Sequence, residues 1–389
     1  MRDQTTRRIG IHATKNLLVP AQALQTLSCL ASARILSHCV HWHEPAQPAA
    51  HITQALNEKE DQQMIQFGLL GAARITPEAL IYPCINEPLA NISVIAARDR
   101  HRANTFAAAH HIDTVCDSYL DVINHAKINA VYIPLHIPAH HPWTMAALQA
   151  GKHVLCEKSL ACNAEEAREM NQRAKDQGLV LMDAFHYRYH PLFARMKNIV
   201  ASGTLGTISS IDAAFHTPVT DPSDIRMNYH LGGGVTMDIG CYPISWVRHL
   251  TDTEPTVISA TAEVGPPQVD LFLETKMEAG NIAITTSADM RASASFKAEV
   301  TVRGSLGEMR VDNVIAPQLG HLLTLNVGKK ITHQSVDRRP TYAYQLDAFI
   351  AAVERGEPLW TDGDDSVAQM TVIDRCYEAA GLPRRGLKL

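Results

Sequence analysis

The sequence has little charge of either sign and no long apolar run. Charged residues make up 19% of its 389 residues, and the formal net charge is −5. It contains no block of basic residues, which argues against nucleic-acid binding. No apolar run approaches the roughly 18 residues that span a membrane, so we expect no membrane attachment. What remains is a chain long enough for two domains with cores of their own.

The eight cysteines are scattered and include no C-x-x-C pair. This spacing favours a reduced, cytoplasmic protein with free thiols over a disulfide scaffold or a zinc protein, and we expect no bound metal. Residues 1–62 differ in composition from the rest and are predicted to form a poorly ordered N-terminal extension. Two alternatives stay open for them: an organelle-targeting peptide, and a metal site in the histidine- and cysteine-rich piece at residues 38–44.

Residues 64–76 are predicted to form an apolar strand, a glycine turn and the start of a helix. Pro77 and Glu78 suit a first helical turn, because Pro needs no amide donor there and Glu favours the positive end of the helix dipole. Free amides at a helix N-terminus bind pyrophosphate. Gly71 matches the first glycine of the dinucleotide fingerprint, whereas Ala73 replaces the second. An ordinary strand-turn-helix unit is therefore the alternative interpretation.

Strands and helices are predicted to alternate from residue 65 to about residue 185. The predicted strands after the first are at residues 92–97, 130–134, 153–156 and 179–182. Such alternation indicates an α/β fold with a doubly wound parallel sheet and right-handed crossovers. We therefore expect a Rossmann dinucleotide-binding domain over residues 63–185.

The pattern changes after residue 185 to long runs in which polar and apolar residues alternate. They lie at residues 208–217, 256–264, 268–274, 281–287, 293–303, 307–312 and 322–327, and are followed by two predicted helices at 342–355 and 366–380. Alternation of this kind predicts an open, mainly antiparallel sheet with one covered face. Residues 186–389 are thus expected to form a C-terminal α+β domain for substrate binding and dimerisation.

Lys158 follows the strand predicted at 153–156, at the carboxyl edge of the sheet, where open α/β sheets bind ligands. An ammonium there can hydrogen-bond a reacting oxygen and stabilise negative charge on it. Asp238 and Tyr242 share a face if a helix begins near Asp238, as Pro243 requires. A tyrosine, with a reference pKa of about 10, is a base near neutrality only beside a cation, and Lys158 is the candidate. The alternatives are a surface lysine and a core tyrosine.

Six stretches taken together resemble the Gfo/Idh/MocA oxidoreductases. They are residues 68–76, 96–99, 131–135, 150–158, 184–191 and 232–243. Within that family they resemble the branch of dimeric dihydrodiol dehydrogenase and NADP D-xylose 1-dehydrogenase, over about residues 65–385. The resemblance implies a homodimer that uses NADP rather than NAD and transfers a hydride between nicotinamide and a carbinol or carbonyl carbon of a sugar or cyclic trans-diol. We expect the dimer to bury an apolar open face of the C-terminal sheet.

The resemblance also assigns roles to individual residues. It implies that Lys158 contacts the nicotinamide ribose and the substrate hydroxyl, that Tyr242 exchanges the hydroxyl proton, and that Asp238 positions the pair. The expected cofactor-binding residues are Gly71, Ala73, Arg74, Ile75, Arg98, Pro134, Leu135, His140, Glu157, Lys158 and Arg188. The alternative for His140 is a solvated position in a loop. The alternative for Arg188 is a pair with a structural carboxylate.

Two features of the sequence affect the cofactor and the nicotinamide contacts. The Pro-Asn pair that usually follows the third long strand in the family is replaced by His136 and Ile137, so the contact of that Asn is missing. Arg98 ends the second strand, where a guanidinium can bond a 2′-phosphate, and Arg102 could add a second positive charge. If the strand ended one residue later, Asp99 would bond the ribose hydroxyls and favour NAD.

Two other functions compete with sugar or diol oxidation. One is reduction of a carbonyl, imine or enone in secondary metabolism, and the other is a non-catalytic NADP-sensing regulator on the same fold. Lys158, Asp238 and Tyr242 argue against the regulator, since a sensor needs no proton-transfer residues.

Overall fold

The computed structural model describes residues 64–265 and 268–386, so the expectations for residues 1–62 lie outside the described residues. Six parallel strands form the first sheet, in the order β3-β2-β1-β4-β5-β6. They are β1 (Ile65–Leu70), β2 (Ala90–Ala96), β3 (Thr114–Val115), β4 (Ala130–Ile133), β5 (His153–Cys156) and β6 (Leu181–Asp183). The prediction of a doubly wound parallel sheet is confirmed. The strand order reverses between β1 and β4, and ligands bind at such a switch point, at the carboxyl ends of the strands.

Helices cover both faces of this sheet, and its central strands are consequently mostly apolar. All four residues of β4 are buried, and Phe67 and Leu69 of β1 are fully buried beside them. The α-helices of the described ranges are α1 (Tyr82–Ile85), α2 (Arg100–His110), α3 (Tyr119–Ile123), α4 (His140–Gln149), α5 (Ala164–Gln177), α6 (Pro191–Ala201), α7 (Cys241–Thr251), α8 (Thr341–Arg355) and α9 (Gly363–Ala379). In these ranges none is both long and apolar enough to cross a membrane.

The second sheet has eight strands in the order β14-β13-β12-β11-β7-β10-β9-β8. They are β7 (Ile208–His216), β8 (Thr256–Gly265), β9 (Val269–Ala279), β10 (Ile282–Asp289), β11 (Lys297–Gly304), β12 (Gly307–Asp312), β13 (Leu322–Val327) and β14 (Lys330–Gln334). Every neighbouring pair is antiparallel except β7 and β10. One face is covered by helices, since Phe215 of β7 contacts Trp246 of α7 with ring centroids 6.2 Å apart.

The other face of the second sheet is polar, contrary to the expectation of an apolar face. Cross-strand ion pairs join Arg303 to Asp212 and Glu308, and Arg310 to Glu299. These side chains alternate along β7, β11 and β12 with the buried apolar ones, so the uncovered face is solvated. The argument that a dimer must bury an apolar sheet face is therefore wrong, and the homodimer itself stays a prediction.

Candidate active site

A cleft of about 950 Å³ lies along the carboxyl edge of the first sheet. The loops that follow β1, β2 and β4 line it from one side. Residues 223–226, Leu231 and Asp238, which follow β7, also line it. The cleft thus lies at the switch point between β1 and β4. Within the described ranges no group of three or more His, Cys, Asp or Glu side chains is placed to hold a metal ion.

The glycine turn after β1 lines the cleft with backbone rather than with large side chains. Gly71 has φ +114°, and a Cβ on it would lie 3.0 Å from Leu135 Cδ2. Glycine is thus required for both conformation and space. Ala73 and Arg74 line the cleft as expected. Ile75, the next residue, lies outside the cleft lining and exposes its side chain to solvent.

The end of β2 brings Arg98 to the cleft. Asp99, the alternative, caps α2: its carboxylate accepts the backbone N–H of Arg102 at 3.0 Å, and this bond lowers the pKa of Asp99. The Arg102 guanidinium donates to the carbonyl of Ala72 at 2.6 Å and so ties α2 to the glycine turn. With Arg74 this end of the cleft has three guanidinium groups, which suits a phosphorylated ribose.

The loop after β4 places Pro134, Leu135 and His136 in the cleft lining, but not His140. The His140 ring is fully buried, with Nδ1 2.9 Å from the carbonyl oxygen of Ser159 and Nε2 2.9 Å from that of Leu135. Burial lowers the pKa of His140 to about 4. The solvated alternative for His140 is wrong, and the structure gives no support to a cofactor contact through its ring. The ring instead holds the loop after β4 against the residue that follows Lys158.

Arg188 also lies away from the cleft lining. It is buried in the short turn between β6 and α6, with its guanidinium carbon 4.5 Å from the ring centroid of Trp360 and 5.2 Å from that of Phe193. Cation–π contacts of this kind stabilise a packed arginine. The structure therefore does not support the cofactor contact that was expected of Arg188, because the side chain is enclosed by aromatic rings.

Glu157 and Lys158 follow β5 and have different partners. Tyr132 of β4 donates its hydroxyl to Glu157 Oε1 at 2.7 Å, and burial nonetheless raises the pKa of Glu157. Glu157 lies outside the cleft lining, as Lys158 also does, and its cofactor contact stays a prediction. Lys158 Nζ instead lies 2.5 Å from the backbone oxygen of Asp238 and 3.1 Å from its Oδ1.

Asp238 connects Lys158 to a second cation. Its Oδ2 accepts Arg226 Nε at 2.6 Å, and Arg226 also pairs with Asp224 at 3.1 Å. Burial alone would raise the pKa of Asp238, but Lys158 and Arg226 hold it below its usual value. Burial alone would lower the pKa of Lys158, but the Asp238 carboxylate raises it. Both groups are therefore charged at neutral pH, as a positioned ion pair.

The helical region that carries Asp238 begins earlier than predicted. A π-helical turn, Thr236–Gly240, precedes α7, so Pro243 is the third residue of the α-helix proper. Pro243 therefore lies inside a continuous helical segment, where its missing N–H leaves a carbonyl of the preceding turn without an intrahelical donor; the Asp238 carbonyl in that turn accepts Lys158 Nζ instead.

Tyr242 lies next to Lys158 but is not ionised by it. Lys158 Nζ is 5.2 Å from the centre of the Tyr242 ring, and the Phe185 ring packs edge-on at 5.4 Å. Burial, with a smaller effect of Tyr342, raises the pKa of Tyr242 well above its ordinary value. The Lys158 ammonium, paired with Asp238, does not offset this effect of burial, and a tyrosinate supported by Lys158 stays a prediction. The structure instead presents a protonated tyrosine.

Arg226 is a site residue that the sequence analysis missed. It belongs to a short 3-10 turn, Ile225–Met227, in a region without helical or strand periodicity. The sequence did contain one signal for Arg226, its position six residues before Gly232. A residue this close to a glycine cluster and to a candidate acid can fold back on that acid.

The comparisons with known proteins agree with the fold and the cleft. Residues 65–185 match an oxidoreductase family with an NAD-binding Rossmann fold, Gfo/Idh/MocA, and residues 193–310 match the C-terminal domain of the same family. The chain is 33% identical over 323 residues to D-xylose 1-dehydrogenase (NADP(+)) 2 of Haloferax volcanii, covering 81% of this chain and 97% of the relative.

Two further relatives differ in their substrates. Trans-1,2-dihydrobenzene-1,2-diol dehydrogenase of Xenopus laevis is 30% identical over 211 residues, 53% of this chain and 62% of the relative. A 3-ketoreductase from Actinomadura kijaniata, solved in complex with NADP and TDP-benzene, superposes with a TM-score of 0.77 at 25% identity, covering 82% of this chain and 98% of that one. These matches confirm the resemblance: the chain belongs to the Gfo/Idh/MocA family of oxidoreductases.

Proposed function

We propose that this protein is an NADP-dependent oxidoreductase that transfers a hydride between nicotinamide and a carbinol or carbonyl carbon of an uncharged sugar or cyclic trans-diol. The observation that carries the proposal is the arrangement of charges along one cleft. Arg74, Arg98 and Arg102 line one part of the cleft, and Asp238 lines another part and pairs there with Lys158, which follows β5.

The cleft fits a phosphorylated dinucleotide. Gly71 keeps the turn free of side-chain atoms where a pyrophosphate would approach, and Ala73 and Arg74 continue that surface. Arg98 would hold the 2′-phosphate, since Asp99 is engaged by its own helix. The family relationship to an NADP(+) dehydrogenase supports the same choice. When bound, the nicotinamide supplies or accepts the hydride.

Side chains of this protein transfer the proton and stabilise the negative charge that develops on the substrate oxygen. Lys158, held by Asp238, can donate a hydrogen bond to the reacting oxygen and stabilise the negative charge that develops on it. Tyr242 keeps its proton because its pKa is raised, so it acts as the acid that protonates a carbonyl oxygen during reduction. In oxidation the reverse step needs Tyr242 as the tyrosinate, which takes the proton of the substrate hydroxyl as the hydride leaves the carbon, so the oxidation rate should increase as the pH rises.

The charges near Lys158 support an uncharged substrate. Of the cations in the described ranges of this region, Lys158 bonds Asp238, and Arg226 pairs with both Asp238 and Asp224. A sugar nucleotide would bring a diphosphate of its own, which needs cations beyond the three guanidinium groups near the glycine turn. The carboxylates of Asp224 and Asp238 are instead suitable hydrogen-bond acceptors for the hydroxyl groups of a sugar or diol.

A substrate panel tests the proposal. We expect NADP+ to be reduced, seen as NADPH absorbance, with pentoses such as D-xylose or with cyclic trans-diols, and TDP-linked sugars to be poor substrates. A second assay with NADPH and simple ketones, imines and enones tests the alternative reductase function. Tight NADPH binding without turnover in either panel would contradict the proposal and indicate the sensor.

We also propose a cytoplasmic homodimer of two-domain subunits that divide near residue 185. The division is supported by β6, the last strand of the first sheet, which ends at Asp183. The dimer is supported by the resemblance to the dimeric dehydrogenases, and the polar uncovered sheet face with Arg303 and Arg310 is the surface we assign to it. A monomer mass from light scattering at micromolar concentration would contradict the dimer.

A further inference from the structure

A buried ion pair lies beneath the π-helical turn Thr236–Gly240, which carries Asp238 and which we call the catalytic turn. The pair lies outside the cleft lining. Asp270 of β9 is fully buried, and the Arg385 side chain is 3% exposed. Arg385 Nη2 donates to Asp270 Oδ1 at 2.5 Å, and the guanidinium stacks between Tyr229 at 4.3 Å and Tyr377 at 4.9 Å. A pair so enclosed has a single well-defined geometry, which makes it a rigid support.

The second oxygen of Asp270 holds the first residue of the catalytic turn. Oδ2 accepts both the backbone N–H of Thr236 at 2.8 Å and its hydroxyl at 2.6 Å. Thr236 begins the π-helical turn Thr236–Gly240. Two residues later, Asp238 offers its backbone oxygen and its carboxylate to Lys158. The path from Arg385 to Lys158 therefore consists of directly bonded groups.

The last glycine of the triplet before this turn is explained by the same pair. Gly234 has φ +132°, and a Cβ on it would lie 2.1 Å from Asp270 Oδ1 and 2.7 Å from Arg385 Nη2. Only a residue without a side chain lets the backbone approach the pair this closely. Glycine at this position is thus part of the support.

We propose that Asp270 and Arg385 are positioning residues for the reaction, which set the place of Asp238 and through it of Lys158. The inference rests on the proposed function, because it takes the Lys158–Asp238 pair as catalytic. Asp238 binds Lys158 partly through its backbone oxygen, so a displacement of the turn moves the ammonium directly. A segment near the C-terminal end of the chain, far from the cofactor loops in sequence, thereby determines the geometry of the site.

The test compares Asp270→Asn, Arg385→Met and the milder Thr236→Val with a matched control, Asp374→Asn. Asp374 is also a buried carboxylate, but it caps α5 by accepting the N–H of Ala164 at 3.0 Å. All variants are studied as full-length protein at a temperature well below their melting points. Thr236→Val removes one hydroxyl and keeps the ion pair, so a test remains if the other variants fold poorly.

We expect the three variants to lower kcat by about ten- to hundredfold, because a displacement of about 1 Å far from the chemistry has an effect of that size. The KM for substrate and the Kd for NADPH from fluorescence titration should change little. Hydrogen exchange in a peptide covering residues 234–242 should become faster in these variants and stay unchanged in Asp374→Asn.

Two results would overturn the inference: unchanged kcat and unchanged exchange in the variants, or equal effects in the control, which would indicate general destabilisation. If wild-type protein turned over no substrate, the proposed function would fail, and the exchange measurement would still decide whether the ion pair supports the turn.

Discussion

Replacing Arg98 by Ala should remove most of the preference for NADP(H). In the described ranges Arg98 has no carboxylate partner, whereas Arg100 pairs with Asp117 and Arg102 bonds the Ala72 carbonyl. The Arg98 guanidinium is therefore available to a 2′-phosphate. A hydrogen bond to a charged group contributes about 1.5–3 kcal/mol, which corresponds to about a ten- to hundredfold change in an equilibrium constant.

The measurement is kcat/KM with NADP(H) and with NAD(H) for wild type and variant. We expect kcat/KM for NADP(H) to fall by that factor through KM, and the values for NAD(H) to stay within about twofold because the 2′-hydroxyl makes no charge-assisted bond. Arg100→Ala is the matched control: it removes a guanidinium two positions away that lies outside the cleft lining. Wild-type protein that uses both cofactors equally, or an Arg98→Ala variant with unchanged selectivity, would refute the reasoning.

Three further predictions concern the catalytic turn and the buried histidines. Lys158→Met should lower kcat by about 100- to 1,000-fold, the loss of about 2.7–4 kcal/mol that follows removal of one donor to a developing oxyanion, while NADPH still binds by fluorescence titration; a tenth of wild-type kcat would contradict this. Tyr242→Phe should abolish most reductive turnover, and wild-type kcat for reduction should stay level from about pH 6 to 9, since Tyr242 keeps its proton; a fully active Phe variant would exclude it as the acid. The melting temperature should fall as the pH drops from 6.5 to 4, because His140 and His186, with pKa values lowered to about 4 and about 3, stay neutral in the fold and take up protons at about pH 6.5 once unfolded; an unchanged melting temperature over this range would contradict it.

The strands could be predicted from sequence because their pattern is local. Residues 153–156, 307–312 and 322–327 were each predicted with the bounds that the structure has. The two strands that were not predicted, Thr114–Val115 and Lys330–Gln334, are edge strands. The first has only two residues and the second has mostly exposed side chains, so neither has an apolar periodicity to detect. The polar uncovered sheet face was visible in the same alternation. The error was to assume that a face without helices must be apolar.

The site was predicted less completely, because a sequence locates a residue along the chain but does not give the direction of its side chain. Arg188 follows β6 as expected, yet its partner Trp360 comes 172 positions later. His140 begins α4 instead of lying in the loop, and its ring turns inward to two backbone carbonyls. To predict that Tyr242 is protonated, one must know that Lys158 pairs with Asp238. That pair joins the loop after β5 to the turn Thr236–Gly240, and its two residues are 80 positions apart.

The bond between Asn163 and the end of the described chain has a consequence for the order in which the protein becomes active. Asn163 Nδ2 donates to the backbone oxygen of Arg385 at 3.0 Å, across 222 positions, and the Arg385 side chain completes the support of Thr236. The first sheet also depends on residues far along the chain, since Phe349 of α8 packs against Phe67 of β1 with ring centroids 5.4 Å apart, and contacts between distant parts of a chain form late. On the ribosome, hydride chemistry should therefore begin only after both α8 and Arg385 have emerged and packed against the parts of the chain made before them.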